Sequence, residues 1–536
     1  MEKTEKRWES SFLKWFLSLL FISFLVNVGV LVLIHEEPRR GIITFEMLKS
    51  HNFLQPTVLG VPYFKKPPLH EWITSLFSVL SGTVCEFSLR VPSAIAVVLT
   101  SILIFLTVKR SFGERVALFS SLIYPTFYVV LIGYGTKCEP DTLFSFFVSL
   151  AVFSWFYLIE RKRELPAWFS GYFFTSLALL TKGLPAFQFF LFFVFAYFLV
   201  KRDFKKLLSI QHLVGLVLGL SPFFLWLFAV KTEQAVKTLF SEVLSRAPGE
   251  VSGLKALKNY ITYPFRLTFA TFPWSFLLIY YLVKKRKSVM KLPEDENLRV
   301  FLLGFTLDAL LYWAFPGSRL RYLIPALPLL SVVLAYYLID YQIVHKRAKE
   351  IVRFTAELIV PLAIVVGIIV TKNPSLILKS TVEFIFILYA IYFLFLPRFN
   401  FTYVVILISV LMLIFRGFYS SYYYPIAQFK YPPVREVAKQ IVKDSAGYPL
   451  YTKTTYLQLC FYVERGRGEI LRFSPKPPER ALLLSQKPEG YVLKKYSLGR
   501  HRFYLCSYGI SSLRPQGASE DQKRRSPSKL NRSNGK

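Results

Sequence analysis

Acidic and basic residues gather in the segment that follows the first long apolar stretch of the chain. Glu36 and Glu37 come first, Arg39 follows them, and Lys65 and Lys66 lie later in the same loop. A carboxylate among cations stays ionised, so it can position an acceptor or deprotonate it. The pattern predicts a site for a charged lipid headgroup. The alternative is a pair of solvated acids that ends the apolar stretch.

A second acidic pair, Glu139 and Asp141, flanks Pro140 at the predicted start of another apolar span. Proline suits the first turn of a helix, and an acid there interacts favourably with the positive end of the helix dipole. Capping explains one acid but not two. Asp141 is therefore either a helix cap or a site residue.

Three cations lie at span ends where the topology given below predicts the outer face. Lys182 ends an otherwise apolar span, and Arg319 and Arg321 precede another, with Tyr322 next to them. A lone lysine at a span end is commonly an anchor. Cations on the outer face nevertheless break the positive-inside tendency, and guanidinium groups bind phosphate well. We predict that these cations bind a membrane-embedded lipid phosphate.

The composition predicts a polytopic helical membrane protein. Of the 536 residues, 54% are hydrophobic and 17% aromatic, which is too apolar for a soluble globule. The net charge of +33 comes largely from basic clusters between spans, so it indicates orientation and lipid contact rather than nucleic-acid binding. The first apolar segment is too long for a cleaved signal peptide, and we expect it to remain as an anchor.

Hydropathy predicts about 13 transmembrane helices of bilayer length. If the N-terminus is cytoplasmic, the basic clusters between spans all lie inside and the C-terminal segment lies outside. The predicted spans are near 11–34, 89–108, 115–133, 142–159, 166–182, 184–200, 208–230, 262–283, 299–316, 322–341, 351–371, 376–396 and 401–417.

Three parts follow from this pattern: a transmembrane domain over 1–420, an extracytoplasmic α/β domain over 421–511, and a disordered basic tail over 512–536. Within the first domain, the extracytoplasmic loop 35–88 is predicted to contain two interfacial helices, near Pro38–Ser50 and Pro67–Leu80. The apolar face of the second helix is predicted to lie in the membrane surface. It is formed by Trp72, Ile73, Leu76, Phe77 and Leu80.

The C-terminal segment changes in composition. Pro432–Asp444 has the pattern of an amphipathic helix, and short strand-like runs follow it. These runs are Leu450–Thr452, Leu459–Val463, Ile470–Phe473, Ala481–Leu484, Tyr491–Tyr496 and Arg502–Cys506. The four cysteines allow two disulfides, Cys85 with Cys138 and Cys460 with Cys506, but the sequence cannot show that either pair meets.

These motifs resemble those of polytopic glycosyltransferases with the GT-C fold, in particular the bacterial lipid A aminoarabinose transferases and relatives of the protein O-mannosyltransferases. The resemblance covers roughly residues 10–345, whereas the C-terminal segment matches only in position and general type. The matching motifs, in order, are Glu36-Glu37-Pro38-Arg39, Glu46-Met47-Leu48, Tyr63–Leu69, Arg90-Val91-Pro92-Ser93, Asp141, Leu180–Gly183, Phe272-Pro273-Trp274 and Arg321–Pro325.

The resemblance implies transfer of a sugar from a polyprenyl-phosphate carrier to an acceptor on the outer face of the cytoplasmic membrane. It implies that Glu36 takes the place of the leading acid of the family, usually Asp, that Arg39 and Lys66 bind the donor phosphate, and that Lys182 lines the same cavity. Lys65 replaces a Glu that is linked to metal binding in the aminoarabinose transferases, together with a His. Residues 231–261 contain no His, so we predict no cofactor, with Lys65 as the fixed positive charge. The alternative is a divalent metal held by Glu36, Glu37, Glu139 and Asp141, if these acids converge.

We therefore predict a membrane glycosyltransferase that inverts the configuration at the anomeric carbon of the sugar. It acts as a monomer in the inner membrane, on a lipid (lipid A-like) or protein acceptor. The alternatives are a transporter of lipids or lipid-linked sugars and a scaffold for the α/β domain, but no clear internal repeat supports a transporter. The predicted catalytic residues are Glu36, Glu37 and Asp141. The predicted phosphate ligands are Arg39, Lys65, Lys66, Lys182, Arg319 and Arg321, and Glu139 and Tyr322 complete the cavity.

Overall fold

The computed structural model describes residues 2–230, 236–238, 253–284, 293–315, 317–342, 404–430 and 433–508. The chain divides into two compact units. The first contains Met1–Val58 and Pro62–Tyr431, and the second contains Leu59–Val61 and Pro432–Lys536. The predicted spans near 351–371 and 376–396, the predicted tail 512–536 and most of the loop 231–261 lie outside the described residues.

The first unit is helical. Its helices in chain order are α1 (Glu2–Leu25), α2 (Glu37–Ser50), α3 (Leu69–Leu80), α4 (Glu86–Phe112), α5 (Glu114–Thr126), α6 (Asp141–Ile159), α7 (Glu164–Lys182), α8 (Pro185–Lys201), α9 (Ile210–Val230), α10 (Gly253–Ala270), α11 (Trp274–Lys284), α12 (Glu296–Ala314), α13 (Leu327–Gln342) and α14 (Val404–Lys430). The short strands β1 (Thr57–Val58) and β2 (Val61–Pro62) interrupt the loop between α2 and α3.

Among the described residues, four helical segments are long and apolar enough to cross a membrane: Glu86–Phe112, Asp141–Ile159, Ile210–Val230 and Leu320–Ile339. Two shorter apolar helices, Ser11–Leu25 and Pro185–Lys201, accompany them. The prediction of a helical membrane protein is therefore confirmed, while the number of 13 spans stays a prediction.

Not all predicted spans are continuous α-helices. In the span 11–34, α1 ends at Leu25, and the span 322–341 starts as the 3₁₀ turn Leu320–Ala326. Two others are interrupted. The span 115–133 breaks after Thr126, and a π-helical turn, Val129–Tyr134, follows it. The span 262–283 breaks between Ala270 and Trp274. Proline lies at both breaks, as Pro125 and Pro273. Proline lacks the donor of the helical hydrogen bond and clashes with the preceding turn. Hydropathy alone does not register this effect.

Close packing of α9 against α7 fixes the helix that ends at Lys182. A Cβ atom at Gly215 would lie 2.5 Å from the Cβ atom of Trp168, and one at Gly219 would lie 2.5 Å from that of Tyr172. Small residues at this spacing allow two membrane helices to approach closely. The two glycines therefore hold α7 in place along its length.

Helix α3 has its polar face inside the protein. Its buried residues are His70, Glu71, Thr74, Ser75 and Ser78, whereas Leu76 is 57% and Leu80 72% exposed. Of the predicted apolar face, Leu76 and Leu80 turn outward, whereas Trp72 and Ile73 pack against the hydrophobic core. The interfacial position of the helix stays a prediction. The helix begins at Leu69 rather than at Pro67.

The second unit contains helices α15 (Val434–Asp444) and α16 (Leu457–Arg467) and strands β3 (Leu450–Thr452), β4 (Arg472–Phe473), β5 (Ala481–Ser485), β6 (Tyr491–Leu498) and β7 (His501–Tyr508). The strand order is β4-β3-β5-β7-β6. Strand β3 pairs in parallel with β4 and β5, and the pairs β5–β7 and β6–β7 are antiparallel.

One predicted strand of this unit is wrong. The run Leu459–Val463 lies inside α16, where all five residues are buried. A short apolar run that is buried on every side has no period that separates strand from helix. All four cysteines of the chain are free thiols in the structure, so neither of the two possible disulfides is present.

Candidate active site

The second acidic pair lies in the segment that joins the π-helical turn to α6. Helix α6 begins at Asp141, whose side chain is 2% exposed. The ammonium of Lys182, at the last residue of α7, lies 2.7 Å from Asp141 Oδ1. Lys182 Nζ also lies 5.1 Å from the ring centroid of Phe144 and 5.5 Å from that of Tyr322. Asp141 is therefore more than a helix cap, because it holds the lysine that ends another helix.

Glu139 forms a parallel pair with Arg321. Arg321 Nη1 donates to Glu139 Oε2 over 2.7 Å, and the glutamate side chain is 4% exposed. Burial and the charge of Asp141 raise the pKa of Glu139 above its usual value, although Lys137 and Arg321 oppose this shift. Arg321 lies on the 3₁₀ turn Leu320–Ala326, which thus brings a cation to the carboxylates.

These pairs form one cluster at the start of α6. Arg321 and Lys66 both act electrostatically on Asp141, so the loop between α2 and α3 also contributes to it. The structure thereby brings together six of the predicted residues: Lys66, Glu139, Asp141, Lys182, Arg321 and Tyr322. We call this set the ionic cluster.

Glu37 does not have the surroundings of a catalytic acid. Arg90 Nε donates to Oε1 over 2.8 Å and Arg90 Nη2 to Oε2 over 2.7 Å. The backbone N–H groups of Ile34 and Cys138 complete the set at 3.0 Å each. Burial alone would raise the pKa of Glu37, but Arg90 and the two N–H groups lower it overall. Each Glu37 carboxylate oxygen thus accepts two hydrogen bonds, which hold the side chain against Arg90. The catalytic role of Glu37 stays a prediction.

Glu36 is the accessible member of the first acidic pair. It lies at the N-cap of α2 and forms an ion pair with Arg39, and the two side chains are 40% and 32% exposed. The Arg39 guanidinium lies 5.8 Å from the ring centroid of Tyr63. Both groups can therefore meet a bound molecule without unfolding the loop.

Two of the predicted phosphate ligands lie at the surface. Lys65 and Arg319 are exposed, and neither forms an ion pair with any residue that the structure describes. The structure does not bring them into the ionic cluster. They can contribute positive charge only from its surroundings.

Sequence reasoning did not assign roles to Arg90 and Arg40. Arg90 donates to Glu37 and to the carbonyls of Val28, Leu31 and Val32. Arg40 Nη1 lies 2.6 Å from Glu71 Oε1 and so joins α2 to α3. Burial would raise the pKa of Glu71, but Arg40 and His70 lower it to about 2. For Arg90, the Arg-Val-Pro-Ser motif could have indicated a role. For Arg40, which follows Arg39 directly, no separate sequence signal exists.

Known proteins resemble this chain in sequence. The model of the family described as dolichyl-phosphate-mannose-protein mannosyltransferase matches residues 65–228. An uncharacterized protein of Aquifex aeolicus is 28% identical over 301 residues, which cover 54% of this chain and 56% of that protein. Undecaprenyl phosphate-alpha-4-amino-4-deoxy-L-arabinose arabinosyl transferase 2 of Proteus mirabilis is 26% identical over 350 residues, which cover 63% and 61%. The chain thus spans somewhat more than half the length of these two relatives.

A solved structure decides the fold. The crystal structure of ArnT from Cupriavidus metallidurans bound to undecaprenyl phosphate superposes with a TM-score of 0.71 and 17% identity, over 95% of this chain and 100% of that one. The chain has a GT-C fold. The resemblance inferred from the sequence motifs is confirmed.

The GT-C relatives that the sequence resembles raise the question of a metal ion. Among the described residues, no three His, Cys, Asp or Glu side chains are grouped so that they could hold one. The two converging carboxylates are already occupied, Asp141 by Lys182 and Glu139 by Arg321. A divalent cation would meet the like charges of these partners at short range. The donor set of the ionic cluster therefore does not fit a resident metal.

Proposed function

We propose that the protein is a glycosyltransferase that moves a sugar from a polyprenyl-phosphate donor to a lipid or protein acceptor at the outer face of the cytoplasmic membrane. The observation that carries the proposal is the ionic cluster, in which Lys182 and Arg321 are held by carboxylates at the ends of apolar helices. The named relatives are transferases of a sugar from undecaprenyl phosphate, and ArnT was crystallised with that lipid. These names support the same donor class for this chain.

The charge of the ionic cluster suits a phosphate. Three cations, Lys66, Lys182 and Arg321, act on Asp141, and Lys137 and Arg321 act on Glu139. The cations thus outnumber these two carboxylates, which favours an anion. The carboxylates also fix where the cations lie, since Lys182 Nζ is 2.7 Å from Asp141 and Arg321 Nη1 is 2.7 Å from Glu139. Groups fixed in advance stabilise charge without reorganisation during the reaction. Asp141 and Glu139 thus act by holding the phosphate ligands.

The chemical step follows from this arrangement. The acceptor oxygen attacks the anomeric carbon while the bond from that carbon to the phosphate oxygen breaks, so the configuration inverts. The phosphate leaves with the bonding electrons, and Lys182 and Arg321 stabilise the charge that develops on it. The departing phosphate needs no proton, since it is a weak base. Lys65, Arg39 and Arg319 add positive charge around the cluster.

Glu36 is the group that we propose acts on the acceptor. Its side chain is 40% exposed, and it accepts the proton when the acceptor is a hydroxyl. When the acceptor is a phosphate, no base is required and Glu36 orients it. Arg39 directs the Glu36 carboxylate through their ion pair.

The proposed orientation places the N-terminus in the cytoplasm and the α/β domain, 421–511, outside. The basic clusters between the spans support this orientation through the positive-inside rule. We further propose that the protein acts as a monomer in the inner membrane of the cell, because the ionic cluster is assembled from one chain.

The proposal is tested by mass spectrometry of lipids and envelope proteins from a deletion strain. We expect one glycosylated lipid or protein to lose the mass of a sugar. A wild-type copy restores it, and a copy with Lys182→Met, expressed at the same level, does not. Identical glycosylated products in the deletion and parent strains would contradict the proposal.

A further inference from the structure

The segment that carries the two carboxylates of the ionic cluster is held at nearly every position by a different element. Ser93 Oγ of α4 donates to the Lys137 carbonyl over 2.6 Å. Glu37 of α2 accepts from the Cys138 N–H over 3.0 Å. Arg321 and Lys182 bind the side chains of Glu139 and Asp141. The remaining polar position, Thr136, is held by α14.

Helix α14 reaches Thr136 through a buried arginine and a tyrosine. Arg416 Nη2 donates to Thr136 Oγ1 over 3.1 Å and to the Tyr424 hydroxyl over 3.2 Å. The hydroxyl oxygens of Thr136 and Tyr424 are 3.0 Å apart. The three side chains therefore form a closed hydrogen-bonded triangle. It joins α14 to a segment that lies 280 residues earlier in the chain.

Arg416 is an unusual residue to find in this environment. It is fully buried, and its Nε and Nη1 atoms have no hydrogen-bond partner among the described residues. No carboxylate of the described part of the chain lies within ion-pair distance of it. The guanidinium instead lies 5.1 Å from the ring centroid of Phe24. An ionisable group that is buried at this cost marks a function more often than a contribution to stability.

We propose that Arg416 and Tyr424 are positioning residues that hold Thr136 and, through the short segment 136–141, set the places of Glu139 and Asp141. On its N-terminal side the segment continues from the π-helical turn, where the Gly135 N–H donates to the Val130 carbonyl oxygen over 2.8 Å. The consequence for catalysis rests on the proposed function. The hydrogen-bonded contact of Arg416 and Tyr424 with Thr136, which we call the clamp, does not depend on the proposed function.

A cysteine inside the segment allows the clamp to be measured apart from activity. Cys138 is fully buried, and burial raises the pKa of its thiol well above the usual value. A thiol reagent therefore modifies Cys138 only when the segment opens. We would use the full chain with Cys85→Ser, Cys460→Ala and Cys506→Ala, purified in detergent, and measure the labelling rate with a maleimide.

The variants are Tyr424→Phe, Arg416→Met and Arg416→Lys, and the matched control is Tyr172→Phe. The control removes the hydroxyl of another buried tyrosine, which forms a hydrogen bond of 2.7 Å with His212 and none with the segment 136–141. We expect Tyr424→Phe to label on the order of tenfold faster or more, because it removes the hydrogen bonds of the hydroxyl to Thr136 and to Arg416. Arg416→Met should label faster still, and Arg416→Lys, which keeps a donor, should lie between it and the unsubstituted protein.

Activity gives the second readout. We expect kcat to fall on the order of tenfold or more in Tyr424→Phe, because a displacement of about 1 Å costs up to a hundredfold. The KM for the donor should change less than twofold. Unchanged labelling in both Tyr424→Phe and Arg416→Lys would overturn the proposal, even if Arg416→Met fails to fold. Faster labelling with unchanged kcat would also overturn it. If the unsubstituted protein transfers no sugar, the proposed function fails, and the labelling rates still decide whether the clamp exists.

Discussion

Replacement of Lys182 by methionine separates the structural and the chemical roles of the ionic cluster. The side chains of Lys182 and Asp141 are 6% and 2% exposed and lie 2.7 Å apart. Removal of one partner leaves a buried charge without compensation, which costs about 3–5 kcal/mol of stability. Loss of one preorganised donor to the departing phosphate also lowers kcat/KM by roughly a hundredfold to a thousandfold.

The double variant Lys182→Met with Asp141→Asn distinguishes these effects. It removes both charges, so we expect it to regain at least half of the lost stability while activity stays low. The matched control is Lys109→Met. Lys109 forms an ion pair with Glu114 at the same 2.7 Å, but the lysine side chain is 45% exposed. Its loss should cost less than about 1 kcal/mol and leave activity unchanged.

The assays are unfolding of the purified protein in mixed micelles and steady-state transfer from a polyprenyl-phosphate sugar. Each variant is compared with the unsubstituted protein at equal detergent and lipid. If Lys182→Met were as stable and as active as the unsubstituted protein, the buried ion pair would have neither role, and the reasoning from the ionic cluster would be refuted.

Three further predictions concern the neighbouring groups. Glu36→Gln should abolish transfer while the protein stays folded, and Glu36→Asp should retain part of it; activity of Glu36→Gln within threefold of the unsubstituted protein would exclude an essential role. The pKa of Glu71 falls from 4.5 to about 2 in the folded state, so its ionised form stabilises the fold by about 3 kcal/mol above pH 4.5, and this increment disappears as the pH falls from 4.5 to 2. Unfolding free energies of Glu71→Gln should lack this pH dependence, and parallel profiles for the two proteins would contradict it. Transfer should survive exhaustive chelation, with Lys65→Glu as the comparison; activity that EDTA removes and zinc, magnesium or manganese restores would disprove the expectation.

Several residues of the ionic cluster could be predicted from charge placement alone. In the predicted topology, Lys182 and Arg321 break the positive-inside tendency, and Glu139 with Asp141 exceeds what a helix cap requires. Which acid pairs with which cation could not be predicted. Asp141 and its cation are separated by 41 residues in the chain, and Glu139 and its cation by 182. Hydropathy contains no information on that pairing.

Two side chains have contacts that their places in the sequence do not reveal. Glu37 was grouped with Glu36, yet successive residues of a helix point in different directions, and Glu37 turns inward to Arg90. Arg416 lies within a predicted span, and an arginine there is itself a signal. The positive-inside rule concerns the ends of spans, so it does not reveal Arg416, which lies inside one.

The helices and strands could also be predicted only in part. Apolar length predicted helices such as α4 and α6 well. It could not predict the break after Thr126, which depends on local proline geometry. In the second unit, the apolar run inside α16 predicts a strand wrongly, because it is buried on all sides and has no period that separates strand from helix.

The central claim is that the ionic cluster supports cleavage of a polyprenyl-phosphate sugar. The most direct measurement uses the full chain in liposomes that contain such a donor, with lipid A or a glycolipid as acceptor, and follows the lipids by mass spectrometry. The account predicts that each glycosylated acceptor appears together with one released polyprenyl phosphate, and that Lys182→Met forms neither product. Movement of the intact donor between the two leaflets without release of polyprenyl phosphate would contradict it and would identify a transporter.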